Sequence, residues 1–368
     1  MRTAVVRIWT CPGPRIEQSP IMRAPLLLFA LLLGFSHLAL ARSLPDAAAL
    51  RADFRAIVAK ESVPPDVRWH APVSTNGLEL RKFSYQSDRT QRVPGIMLIQ
   101  PERTGLRPVV VMLHGTGGSK ESVFDELVAL ARRGFIAVSI DGRGHGERAV
   151  ASPPEGMNAY QASIFQAWKG SGEHPFFYDT VWDVFRLIDV LETSERVDPS
   201  RIGLAGISKG GIETYLAAAL DVRIAAAAPL IGVQSFAWAL ENNQWRARIN
   251  TIEPVFERIA HETGHKPSRD SVRAFYDRVV PGIDGRFDGP SMLPLIAPRP
   301  LLVVNGDSDA LTPLAGVRKS FRAAEEAYRR AGTSDRAELR IQMDTPHVVT
   351  RESKQAVIDW FVLWLKPE

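Results

Sequence analysis

Beyond residue 70, short apolar runs rich in β-branched residues take turns with amphipathic stretches of helical period. Runs such as Val109-Val110-Val111 carry no polar face, so a strand made of them has to be covered on both sides. A chain that returns through a helix after each such strand builds a mostly parallel sheet with helices on both faces. The fold class expected is therefore α/β. Leu78–Tyr85 and Gly95–Gln100 read as an opening antiparallel pair, followed by strands at Pro108–Leu113, Phe135–Ile140, Arg201–Ile207, Ile224–Ile231, Pro300–Asn305 and Glu338–Met343. Helices are expected at Lys120–Arg133, Thr180–Glu192, Lys209–Leu220, Pro313–Ala331 and Arg351–Leu365. Two segments break the rhythm, 148–178 and 233–290. They have little period and many aromatic residues, and are expected to be lid-like insertions or binding loops.

One pentapeptide sits where an expected strand meets an expected helix: Gly206-Ile207-Ser208-Lys209-Gly210. A serine hydroxyl is a weak nucleophile at neutral pH and needs exposure and an adjacent base. A sharp strand-to-helix turn provides the exposure, and glycines on either side leave room for it. Ser208 is the candidate nucleophile. Acyl transfer also needs amide donors aimed at the developing oxyanion. Lys209 supplies one such amide, and Thr116 or Gly117, in the His114-Gly-Thr-Gly-Gly118 loop after an earlier strand, supplies the second. His114 is expected to brace that loop. The Lys209 ammonium is expected to point to solvent near the cleft.

Asp309, in Gly306-Asp-Ser-Asp309 after a buried strand, is the candidate acid that orients an imidazole. Asp307 is its rival, with turn capping as the alternative role. In triads of the order serine, acid, base the histidine follows the acid, and of eight histidines only His347 lies beyond Asp309.

Together with the Asp141-Gly-Arg-Gly-His-Gly146 loop and Val197–Gly211, these motifs resemble the α/β-hydrolase superfamily over about residues 75–365. Within it the chain is similar to the branch of dienelactone hydrolases, acetyl xylan esterases and prolyl-oligopeptidase-type catalytic domains. The resemblance implies a serine esterase without metal or organic cofactor. Its substrate would be a small-molecule or carbohydrate ester carrying a short acyl group, with acetyl as one candidate. An oligopeptidase-type serine peptidase is the second reading, and a binding protein that kept the fold is a third. The chain has no β-propeller to restrict peptide access and no cysteine nucleophile in the domain, which favours the esterase.

His261-Glu-Thr-Gly-His265 matches the zinc-protease pattern, which works only if one helical turn sets both imidazoles on one face. Gly264 and Pro267 weaken a helix there, and no third ligand is evident, so no metal site is expected. His145 is expected to be structural, in a tight glycine turn beside the site.

Residues 22–41 read as a signal peptide, with Arg23, an apolar Leu26–Phe35 run and the small-residue site Ala39-Leu-Ala41. The run is shorter than the roughly 20 residues that span a bilayer, so no stable membrane anchor is expected. Residues 1–21, with three prolines, fit no part of such a signal, which points to translation from Met22. Cleavage after Ala41 would send the protein to the periplasm or out of the cell. It would also remove four arginines and Glu17, leaving 41 basic and 40 acidic residues. The net charge of +4 then becomes +1, which gives no argument for nucleic acid. Cys11, the sole cysteine, goes with the leader, leaving a chain suited to an oxidising compartment. The expected organisation is a leader (1–41), an N-terminal extension (42–74) and the α/β domain (75–368). Nothing in the sequence sets an oligomeric state.

Overall fold

The computed structural model describes residues 46–150 and 152–367. The expected leader, its cleavage site and Cys11 lie outside the described residues. Among the described residues no helix is long and apolar enough to cross a membrane.

The first helix, α1 (Ala47–Val58), leads into short strands β1 (Arg68–Trp69) and β2 (Val73–Thr75), then β3 (Leu78–Gln86) and β4 (Arg92–Ile99). Alternation follows: β5 (Arg107–Leu113), α2 (Phe124–Arg132), β6 (Ile136–Ile140), α3 (Ala159–Lys169), α4 (Tyr178–Glu192), β7 (Val197–Ile207), α5 (Lys209–Leu220) and β8 (Ile224–Leu230). Five helices come next: α6 (Phe236–Glu241), α7 (Arg246–Ile249), α8 (Glu253–Thr263), α9 (Arg269–Val279) and α10 (Gly289–Met292). The chain closes with β9 (Leu301–Gly306), α11 (Leu314–Arg330), β10 (Ala337–Gln342) and α12 (Arg351–Leu365).

The strands form one sheet in the order β1-β3-β4-β6-β5-β7-β8-β9-β10, with β2 on β3. From β6 to β10 all pairs are parallel, and β4 is antiparallel to both β3 and β6. Strand β5 is fully buried, in keeping with its uninterrupted apolar run. The chain runs from β5 out to β6 and then back across to β7. Strand order thus reverses beside β5, and a crevice opens outside the carboxyl ends of β5 and β7.

Both expected insertions carry helices, α3 within 148–178 and α6 to α9 within 233–290. In α3 the buried positions Tyr160, Ala162, Ile164, Phe165 and Ala167 lie on more than one face, so no single apolar stripe announces the helix. Residues 120–133 form a 3₁₀ turn, Lys120–Val123, before α2 instead of one helix. The segment before the sheet packs on the body: Arg51 donates to the carbonyls of Ala219 (2.9 Å) and Leu295 (2.7 Å). The ring of Phe54 lies against Tyr178 and Phe287.

Candidate active site

Ser208 stands between the end of β7 and the start of α5 with φ 57° and ψ −111°, a left-handed conformation rare for a residue with a side chain. The turn is tight enough to exclude Cβ atoms. One added at Gly210 would lie 2.6 Å from the Leu113 carbonyl oxygen, and one at Gly206 would run into the Gly210 backbone. The expectation of a sharp turn with obligatory glycines is thus met by a measurable lack of space.

Three distant side chains meet here. Ser208 Oγ lies 2.7 Å from His347 Nε2, and His347 Nδ1 lies 2.7 Å from Asp309 Oδ2. Asp309 Oδ1 accepts from the amides of Leu311 (2.8 Å) and Thr312 (3.0 Å), and Oδ2 also accepts from Thr312 Oγ1 (2.5 Å). Burial pushes the Asp309 carboxyl up, but the hydrogen bonds from His347 and Thr312 outweigh it and leave the pKa below the ordinary value. Asp309 is therefore ionised, and its negative charge holds a proton on Nδ1, so Nε2 is free to accept from Ser208. Asp307 takes the other role: its carboxylate accepts from the amide of Thr345 (3.1 Å) and shapes the turn that carries His347.

Lys209 follows Ser208 directly in the chain, and Thr116 lines the same cleft as Ser208. As first residue of α5, Lys209 has an N–H without an intrahelical acceptor, at the positive end of the helix. Opposite it, the Gly118 amide is tied back to the Gly115 carbonyl (3.1 Å). The amides of Thr116 and Gly117 have no acceptor among the described residues. A cleft of about 520 Å³ is lined by Thr116, Ser208 and His347, with Ile231, Thr251 and Leu311 as further walls. Gly117 does not line it, and Thr251 comes from the 233–290 insertion.

The Lys209 side chain corrects an expectation. It is buried, paired with an equally buried Glu213 one turn along α5, and lies over the ring of Tyr160. An i, i+4 Lys–Glu pair normally marks a solvated helix face. This one is covered because all of α5 is buried. His114 braces the loops as expected, accepting from the Gly142 amide at Nε2 (3.0 Å) and reaching the Gly115 carbonyl from Nδ1 (2.8 Å). His145 is buried, with Nδ1 2.8 Å from the Arg143 carbonyl. In the other candidate motif α8 ends at Thr263 and Gly264 is left-handed, so His265 lies beyond the helix that carries His261. The turn that would align the two imidazoles does not form.

The buried network of Asp183 with Arg143 (3.1 Å) and Arg148 (2.7 Å) escaped the sequence reading. It ties the loop after β6 to α4 beneath the site. Nothing in local spacing signals it, because its members are 35 to 40 residues apart.

The fold and the site define a hydrolase of the α/β-hydrolase type. More specifically, the chain belongs to the acetyl xylan esterase family, whose model matches residues 59–242. It is thus a carboxylic-ester hydrolase, in line with the esterase reading over the peptidase. Among similar proteins is YtaP of Bacillus subtilis, described as a hydrolase, 24% identical over 281 residues covering 73% of this chain and 82% of YtaP. Acetyl xylan esterase 1 from Thermoanaerobacterium sp. is similar in structure, with a TM-score of 0.65 at 17% identity over 87% of this chain and 94% of that one. Acetyl xylan esterase from Paenibacillus sp. R4 also gives a TM-score of 0.65, at 20% identity over 87% of this chain and 95% of that one.

Proposed function

We propose that this protein is a serine esterase that removes short acyl groups, acetyl foremost, from carbohydrate through an acyl-enzyme on Ser208. The reading rests on the row Ser208 Oγ–His347 Nε2–Nδ1–Asp309 Oδ2, with both separations 2.7 Å, at the end of β7. His347 takes the Ser208 proton as the oxygen attacks the ester carbonyl, and the imidazolium that forms is stabilised by Asp309. The amides of Lys209 and Thr116 receive the negative charge on the carbonyl oxygen. Thr116 is favoured over Gly117 because it lines the cleft with Ser208. His347 then protonates the leaving sugar oxygen, and a water activated by the same imidazole releases the acid and restores the serine. The acetyl and carbohydrate assignment is supported by family membership. Export with removal of residues 1–41 is part of the same proposal, because polymeric carbohydrate lies outside the cell.

Acetate release from acetylated xylo-oligosaccharides tests the substrate, with p-nitrophenyl acetate and a peptide anilide as comparisons. The proposal expects turnover of both esters, none of the anilide, and none of any substrate by Ser208→Ala. Turnover of the anilide alone would reverse the assignment. Edman sequencing of the secreted protein should begin at Arg42; a start before residue 30 would refute export by cleavage.

A further inference from the structure

We infer that His114 and the side chain of Lys209 are positioning residues that hold the two oxyanion-binding amides in register, an inference resting on the serine-esterase reading. The Gly115 carbonyl and the Thr116 N–H belong to the same planar trans peptide, so fixing the direction of the oxygen fixes the N–H on the opposite side. That oxygen is held by two donors, His114 Nδ1 at 2.8 Å and the Gly118 amide at 3.1 Å. His114 can donate from Nδ1 only while Nε2 accepts, and Nε2 is occupied by the Gly142 amide at 3.0 Å. One neutral tautomer is thereby selected. Protonation would place two N–H groups face to face.

Lys209 completes the link from the other side. Its backbone N–H is the second oxyanion donor, and its ammonium folds back beneath the loop after β6. A Cβ added to Gly142 would lie only 2.7 Å from Lys209 Nζ and 3.5 Å from His114 Nε2. Glu213, at the same depth in α5, anchors the ammonium in that position. The path from Glu213 through Lys209, Gly142 and His114 to the Gly115 peptide thus joins α5 to the loop after β5 without passing through Ser208. Burial and the Lys209 ammonium lower the pKa of His114 to about 4, with Asp141, Lys120 and the neighbouring His145 ring also near it. Burial, joined by that charge, therefore keeps the imidazole neutral, and the Gly142 amide at Nε2 leaves the proton on Nδ1. A buried ion pair is weak support for stability by itself, so its place beside the oxyanion amides is what carries the inference.

The test compares His114→Ala, His114→Asn and the double variant Lys209→Met/Glu213→Gln, which removes both charges together so that neither is stranded. Asn is informative because its amide nitrogen stands where Nδ1 stood and can still donate to the Gly115 carbonyl. Expected for His114→Ala and for the double variant is a fall in kcat of about tenfold to a hundredfold with KM nearly unchanged, part of what losing one oxyanion donor costs. The affinity of a trifluoromethyl ketone, which forms an oxyanion adduct, should fall by the same factor as kcat/KM. His114→Asn should recover most of the activity. Folded variants that keep kcat within twofold, a change in KM alone, or equal losses in Ala and Asn would each overturn the inference. If His114→Ala does not fold, the double variant decides by the same readouts. Ser208→Ala run beside them separates the cases: turnover by that variant defeats the esterase mechanism itself, while its inactivity with an unaffected double variant defeats only the positioning role.

Discussion

Replacing Asp309 by Asn changes a single atom, and the structure dictates which way the new amide must face. Two backbone N–H groups, of Leu311 and Thr312, point at Oδ1, so the Asn carbonyl oxygen is required there. The reverse orientation would set an NH₂ against both, at about 1–3 kcal/mol for each unsatisfied donor. The Asn NH₂ therefore takes the place of Oδ2 and donates to His347 Nδ1, where the carboxylate had accepted. The imidazole proton moves to Nε2, which then faces Ser208 Oγ as a donor and cannot take its proton. Thr312 Oγ1 loses nothing essential, because it also lies 2.9 Å from Asn305 Oδ1. Geometry is preserved and the base is disabled, which in a Ser-His-Asp arrangement costs on the order of 10⁴ in kcat, about 5 kcal/mol. Initial rates with p-nitrophenyl acetate, with a thermal melt to confirm folding, measure the effect. A folded Asp309→Asn that keeps more than about a tenth of wild-type kcat would refute the reasoning, as would a larger loss in Asp307→Asn.

Other consequences can be measured separately. His114 titrates near pH 6.5 when unfolded but near 4 in the fold, so its contribution is complete above 6.5 and is lost as pH falls toward 4, by about 3 kcal/mol. Melting temperature should drop across that interval, and less steeply in His114→Asn; identical slopes would contradict this. Gly210→Ala drives a methyl group against the Leu113 and His114 carbonyls and should cost about 1–3 kcal/mol in urea unfolding. A smaller loss would mean the turn can open. Dialysis against EDTA should leave ester turnover unchanged, because His265 lies beyond the helix that carries His261. Activity lost to the chelator and restored by zinc would overturn the metal-free mechanism.

The parts of the fold that could be read from residues are those whose local pattern coincides with their burial. Strands β5, β6 and β9 are buried on both faces, and apolar runs such as Val109–Leu113 and Leu301–Val304 announce them. The elbow at Ser208 was legible because its glycines answer a local steric demand, and His347 because chain order left no other candidate. What failed was whatever depends on the environment. In α3 apolar residues face more than one packed neighbour, so the helical period vanishes. Lys209 and Glu213 have the spacing of a surface pair, and only the layers around α5 turn them into a buried one. Arg143, Arg148 and Asp183 likewise read as scattered charges until the fold brings the loop after β6 against α4.

The central claim, that Ser208 is made nucleophilic by His347, is tested most directly by labelling the native protein with a fluorophosphonate and mapping the adduct by mass spectrometry. One phosphonylated residue is expected, Ser208, with labelling abolished in Ser208→Ala and slowed by orders of magnitude in His347→Ala. An adduct on another residue, or ester turnover that survives complete labelling of Ser208, would contradict it.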